Sequence, residues 1–286
     1  MTALPSSEQA QVSKPRHHMS TRQRLLFFLV AWLIVLMPFL FWWNTWFGRR
    51  LSDQQLDAYL HDDKKPRHIQ HALVQVAERM SRGDHSLARW YPDLVRLSSY
   101  PVEEVRSTDA WLMGQDNSNP AFHDALLKML NDSSLTVRGN AALSLVRFND
   151  PAGRPQIVSL LEPAHITAPT SGKLVDLAKT GGAVHAGGLV AKLESNGAVV
   201  EVRSPIAGRI RSLAAASGAT IAQGSAIATI DPDTEQVWEA LRGLYLVGTK
   251  EDLPAILPYE RNLPDIPDRV RQQAVLTDRA IQQREQ

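Results

Sequence analysis

Two imidazoles three residues apart on a helix can share a metal ion, and His68-x-x-His71, with His61-Asp62-Asp63 close by, is the pairing here that most resembles such a site. Lys64, Lys65 and Arg67 surround it, and the stretch fits a solvated, charge-rich helix start better. His165 and His185 read as edge or surface residues. Asp231-x-Asp233 is too short for a calcium loop, and Gly181-Gly182 and Gly187-Gly188 lack the strand–helix context of a dinucleotide site. Asn131-Asp132-Ser133 satisfies the glycosylation rule, but its acidic setting reads first as a helix connection. The absence of Cys excludes disulfides, thiolate metal sites and Cys nucleophiles. No Ser/His/Asp arrangement stands out. The expectation is a protein without catalytic residues, bound metal or cofactor. With 31 basic and 30 acidic side chains, charge gives no case for nucleic-acid binding.

The strongest pattern in the chain is a duplication between Ile166 and Asp231. Pro169 and Gly172 recur as Pro205 and Gly208, an offset of 36. Gly181, Val184, Gly187, Val190 and Leu193 recur as Gly218, Ile221, Gly224, Ile227 and Ile230, an offset of 37, and Glu194 matches Asp231. Apolar residues every third position, punctuated by Gly, suit short strands joined by tight turns. Neither half could bury its apolar face alone, so the two are expected to cover each other.

These motifs, P-x-x-G followed by G-x-x-V-x-x-G-x-x-[VI]-x-x-[LI] and then the same again, resemble the biotinyl/lipoyl-like barrel-sandwich hybrid. In carrier domains of that family a modified Lys sits on the hairpin between the halves, eight residues before the second Pro. Counting back from Pro205 reaches Gly197, and no Lys lies between Lys192 and Lys250. Asn196-Gly197 is a preferred hairpin-turn pair. Gly197 therefore occupies the expected biotinyl/lipoyl Lys position, and glycine offers no amine to acylate. The resemblance implies the fold; the turn argues against the cofactor.

Before this unit the text changes twice. Residues 1–24 form a polar, basic tail, and Leu25–Trp43 runs for about 19 residues without a charge, roughly 28 Å as a helix. Trp42, Trp43 and Trp46 look like an interfacial belt, and Arg49-Arg50 a stop. The expectation is a single transmembrane helix over 25–47. The basic tail would lie in the cytoplasm and the bulk of the chain would be periplasmic or extracytoplasmic, at an inner membrane.

From Ser52 onward the periodicity is helical. Ile69, Ala72, Leu73, Val76, Ala77 and Met80 form a stripe, and Val105-Arg106 and Val137-Arg138 open similar helices. "ALLKMLNDSSLTVRGNAALSLVRFNDP" resembles a HEAT-type α-hairpin: a Leu-rich helix, an acidic turn, Val-Arg, then an Ala-rich helix. A first helix at 152–163 lacks its partner until Val237–Leu246, and Val270-Arg271 opens another. Removing the duplicated stretch restores the rhythm, so it reads as an insertion in one helical hairpin. Trp90, Tyr91, Trp111, Trp238 and Tyr245 read as core residues more readily than as a binding face.

The expected fold class is multidomain α and β: a single N-terminal transmembrane helix, HEAT-like α-hairpin repeats over 52–163 and 234–286, and an inserted all-β lipoyl-like barrel-sandwich hybrid over 165–232. The expected function is a membrane-anchored, non-enzymatic scaffold or adaptor, envelope- or exporter-associated. Membrane lipid would be met through residues 25–47. Its protein partners would be a transporter or envelope complex, or a second copy of itself. This resembles the periplasmic adaptors (membrane-fusion proteins), but the long helical hairpin between their lipoyl halves and their β-barrel domain are both missing here. The competing reading is a degenerate carrier or accessory subunit of a biotin- or lipoate-dependent complex.

Overall fold

A computed structural model of the 286-residue chain describes residues 21–42, 50–263 and 265–284. The chain divides into two compact units, Met1–Leu51 and Ser52–Gln286.

In the first unit the apolar run forms helix α1, Thr21–Trp42, containing Pro38. The expectation of a span and of an inner-membrane location is not supported: among the described residues, no helix is long and apolar enough to cross a membrane. The tail and the flanking Trp43, Trp46 and Arg49 of the expected anchor lie outside the described residues.

The second unit opens with a stack of two-helix layers. Helices α2 (Asp53–Leu60) and α3 (Pro66–Ser81) form the first, followed by α4 (Tyr91–Leu97) with α5 (Glu103–Met113) and α6 (Pro120–Met129) with α7 (Leu135–Arg147). The starts are specified locally. Ser52 and Gln55 form a reciprocal capping box, and Asn119 and Ser134 accept from backbone N–H groups of α6 and α7. Pro66 and Pro120 sit in first turns, where their missing N–H is not needed. The apolar stripe of α3 is fully enclosed at Ile69, Ala72, Leu73 and Val76. Truncating such a leucine to Ala typically costs about 2–5 kcal/mol.

Two of the three Val-Arg pairs have a shared geometric cause. All three Val are buried, and in the first two pairs the Arg turns back to bind the carbonyls of the turn before its own helix, whereas Arg271 pairs with Asp268 of its own helix. Arg106 Nη1 donates to Tyr100 O (2.8 Å) and Pro101 O (3.1 Å), and Arg138 Nη1 donates to Asp132 O (2.5 Å) and Ser133 O (3.1 Å). Arg106 also grips the Asp132 carboxylate with Nε (2.6 Å) and Nη2 (2.8 Å), linking one layer to the next. The Asn131-Asp132-Ser133 turn is therefore a packed connection. Asp132 is held below the usual carboxylate range, chiefly by that guanidinium.

Helix α8 (Arg154–Ser159) begins a further layer, and the chain then leaves the helices for eight strands. These are β1 (Ala164–Thr167), β2 (Gly172–Leu177), β3 (Ala183–Val184), β4 (Leu189–Ser195), β5 (Ala198–Arg203), β6 (Gly208–Leu213), β7 (Thr220–Ile221) and β8 (Ala226–Pro232). Two four-stranded sheets result, ordered β1-β8-β6-β3 and β5-β4-β2-β7. The second order maps onto the first when each half is exchanged for the other. Their inner faces meet over Leu174, Val190, Leu193, Ile210, Ile227 and Ile230.

The P-x-x-G glycines stand where strands approach most closely. A Cβ on Gly208 would lie 1.8 Å from the Asp231 carbonyl oxygen, and one on Gly172 2.5 Å from that of Glu194.

After β8 the helices resume with α9 (Thr234–Val247), α10 (Leu253–Ile256) and α11 (Asp268–Arg284). Helix α9 packs on α8 and α7, and α11 on α9. The Asp233 side chain accepts from Glu235 N at the start of α9, and Gln236 Nε2 donates to Leu160 O (3.1 Å). The β-unit thus emerges from the layer formed by α8 and α9. It is tied there by Asp233 N donating to Ala207 O (3.0 Å) and by Leu135 packed against its core.

Candidate functional site: the turn between β4 and β5

Strands β4 and β5 pair antiparallel from Leu193↔Val200 through Glu194↔Val199 to Ser195↔Ala198, leaving Asn196 and Gly197 as a two-residue loop. Both are left-handed, with φ of 51° and 77°. That is a type I′ hairpin, whose twist matches the strands it joins and which Asn-Gly adopts at least cost. A Cβ at Gly197 would meet nothing within 4 Å, so the turn projects into solvent. Glu194, Asn196, Gly197, Ala198 and Val199 are all exposed.

This position is geometrically suited to presenting a group on an arm, but it carries no nucleophile. The nearest amines lie within the sheet: Lys192 is opposite Glu201, and Lys173 is opposite Glu194 on one side and Thr220 on the other. Ser195 Oγ is 3.4 Å from Thr170 Oγ1, and no base stands beside either hydroxyl among the hydrogen bonds of the described residues. The turn cannot be acylated through a lysine of its own.

Residues 164–230 match a family model. It is the one described as "Biotin-requiring enzyme", and the match covers the strands from β1 into β8. This segment is a biotin/lipoyl-type domain. Solved structures with similarity include the Kluyveromyces lactis urea carboxylase, at 20% identity and a TM-score of 0.23, over 24% of this chain and 6% of that one. A single-chain, multi-domain long-chain acyl-CoA carboxylase matches at 19% identity and a TM-score of 0.24, over 35% of this chain and 10% of that one. The chain thus spans a small fraction of either. None of the curated proteins compared matches it.

Of the other candidate residues, His68 and Asp62 are brought together. His68 Nδ1 lies 2.8 Å from Asp62 Oδ2, and its ring stacks on Tyr59 at 4.2 Å; His71 meets the edge of the same Tyr59 at 6.0 Å. Burial, and then repulsion from His68, lowers the His71 pKa. Among the described residues no cluster of three or more His, Cys, Asp or Glu could hold a metal ion. His165 and His185 are exposed on the β-unit. Trp90 is buried, and burial, then the hydrogen bond that Tyr91 donates to Asp116 (2.7 Å), pushes the Tyr91 pKa up to about 12. Trp111 and Tyr245, expected in the core, are exposed, whereas Trp238 lies between the guanidiniums of Arg242 (4.7 Å) and Arg269 (5.4 Å).

One polar group escaped the sequence reading. Asp109 on α5 is wholly buried, neither carboxylate oxygen has a hydrogen-bond partner, and burial raises its pKa well above the ordinary value. Its stripe position was a signal: Asp109 falls one turn after Val105 on the buried face of α5. A cleft of about 730 Å³ opens between the layers nearby, lined in part by Tyr100, Arg106, Lys128 and Asp132. Its Arg106 is already committed to Asp132.

Proposed function

We propose that this chain is a non-enzymatic scaffold in which HEAT-type layers hold an unmodified biotin/lipoyl-type module as a docking unit for protein partners. The observation that carries this reading is the β4–β5 hairpin. It ends in a two-residue Asn196-Gly197 turn, and the nearest lysine ammoniums belong to strand positions inside the sheet. Supporting it, the exposed tryptophan Trp111 and the exposed Val74 lie on neighbouring helices α5 and α3, as a protein-recognition face on stacked helices would place them.

The second reading is a carrier or accessory subunit of a biotin- or lipoate-dependent complex, and the family match over residues 164–230 favours it. It requires an acylated amine away from the turn, and Lys192 and Lys173 are the strand positions available. The two readings separate by intact mass of the protein purified from its own source, with avidin and anti-lipoyl blots. The scaffold reading expects the unmodified mass and blank blots. A biotinyl or lipoyl adduct on Lys192 or Lys173 would replace it with the carrier reading.

A further inference from the structure

Strand β5 is the outer strand of its sheet, with β4 as its one neighbour. Its parity is fixed from both ends. Ser195↔Ala198 closes the hairpin, and Ser204 N donates to Gly188 O (2.8 Å) on the β4 side. Residues 198, 200 and 202 therefore direct their backbone groups toward β4, and Val199, Glu201 and Arg203 direct theirs outward. None of those outward groups has a backbone partner in the turns or ladders of the described residues. The side chains of the same three residues are exposed, while Val202 points into the core.

An open edge is a template for another strand. The sequence of this edge selects which strand. In an antiparallel pair of β5 with β5 of a second copy, only symmetric registers close into a two-fold dimer. Centring on Glu201 would place the two Glu201 carboxylates opposite each other. Centring on Val202 places Glu201 opposite Arg203 of the second copy, twice, and these outward residues exchange backbone hydrogen bonds as a closely paired set. Arg203 already reaches Glu201 Oε2 (2.5 Å) and Gly187 O (2.7 Å) within its own chain. A guanidinium carries five N–H donors, so it can donate to a second carboxylate. Pro205, which lacks an N–H, ends the edge just beyond.

We infer that β5 is a self-association edge: two copies of this chain join their β5 strands antiparallel about Val202, with reciprocal Glu201–Arg203 pairs. This goes beyond the scaffold reading and concerns the strand, so it stands whether or not any amine of the module is modified.

The test is the oligomeric state of the full chain by sedimentation velocity, compared across charge variants whose fold is checked by circular dichroism. The wild type is expected to dimerise reversibly. Glu201→Arg alone and Arg203→Glu alone each place like charges opposite one another and should weaken the dimer at least about tenfold, roughly 1.4 kcal/mol. The double variant Glu201→Arg/Arg203→Glu restores complementarity in the same register and should recover it. A monomeric wild type at about 100 μM, a dissociation constant weaker than ~10⁻⁴ M, would overturn the inference. So would a dimer indifferent to the single reversals, or a folded double variant that stays monomeric. A dimer indifferent to the single reversals would run through another surface, the exposed apolar helix α1 included, and a monomeric double variant would rule out the register centred on Val202.

Discussion

The two halves of the β-unit fold alike and are anchored differently. Strands β2 and β6 have the same burial pattern, β3 and β7 share theirs, and the register shifts at Leu174/Asp176 in one half and at Ile210/Ser212 in the other. Each half ends where a hairpin turn would come next. In the first half the chain does turn, through Asn196-Gly197, into the free strand β5. In the second, β8 runs into Asp233 and α9, and its edge partner β1 follows directly from the α8 segment. Arg211 pairs with Asp231 on the same side, and Tyr259 donates to Leu161 O (2.6 Å) just before β1. Duplication supplied two equivalent ends; the helices took one, and the other faces solvent. Any contact with a partner through an end of this unit falls to the first half.

The largest expected break in this equivalence comes from the two close-approach glycines. Gly208→Ala drives a methyl into the Asp231 carbonyl, in the half bound to the helices, and neither backbone can yield without moving β8. A cost of about 3 kcal/mol or more is expected, the upper end for forced overpacking. Gly172→Ala meets its carbonyl at 2.5 Å, in the half that can relax toward solvent, and should cost nearer 1–2 kcal/mol. The module holds no Trp, Tyr or Phe, so tryptophan fluorescence does not report on it. Hydrogen exchange of peptides from β2 to β8 reads the module, and equal effects of the two substitutions would remove the asymmetry.

The helical layers supply a perturbation that should leave both halves untouched. Asp109 binds its proton more tightly folded than unfolded. Its contribution is therefore favourable below the ordinary Asp range and is lost as pH rises, because the unfolded chain releases a proton that the folded one must keep. At pH 7.5 Asp109→Asn removes the ionisation penalty and should stabilise the layers, by an amount on the order of 1–2 kcal/mol. The gain should shrink as pH falls toward about 4, the ordinary Asp value. Thermal melts followed by tryptophan emission across that range check it. A pH-independent difference would mean that the carboxyl has found a partner.

Next comes the tether itself. Tyr259 is pushed up to about 12, by burial first and then by the Asp231 charge. Stability from its neutral hydroxyl is complete below the ordinary Tyr value and is lost as pH rises toward 12. Tyr259→Phe removes one buried hydrogen bond to Leu161 O and should cost about 1 kcal/mol at neutral pH. It should also flatten part of the alkaline loss, leaving the share due to Tyr91, which is likewise raised to about 12. Hydrogen exchange should quicken in β1 and β8 before β4 and β5. The opposite order would show that the first half is the better anchored.

Much of this was written in spacing. The repeated Pro-x-x-Gly positions are legible because Gly208 and Gly172 sit where a Cβ has no room, and a one-residue offset change between the motifs leaves that geometry intact. The first two Val-Arg pairs were legible for a similar reason, since Arg106 and Arg138 each serve the turn before their own helix. The turn at Gly197 was readable residue by residue. What failed was reading apolar content as a destination. The uncharged run near the N terminus pointed to a membrane, yet it corresponds to no helix long and apolar enough to cross one among the described residues. Trp111 and Tyr245 read as core residues, Tyr245 from its place on the α9 stripe, and both are exposed. The openness of β5 depends on which elements pack together, information that no local spacing carries.

The smallest effect concerns the free end. Gly197→Lys places a side chain where nothing lies within 4 Å, so its cost is the left-handed backbone alone, about 1 kcal/mol. The module should keep its fold and its exchange protection, and the turn would then hold the amine that the first half lacks. If a biotin ligase or lipoate ligase modifies this variant and leaves the wild type untouched, the first half retains the outline of a carrier and lacks the one residue for it. If the folded variant is ignored by both ligases, other features of the half, such as the Glu194 and Val199 flanks of the turn, have also moved away from carrier recognition. Either outcome is read by intact mass, and each locates how far the free end has diverged from its tethered twin.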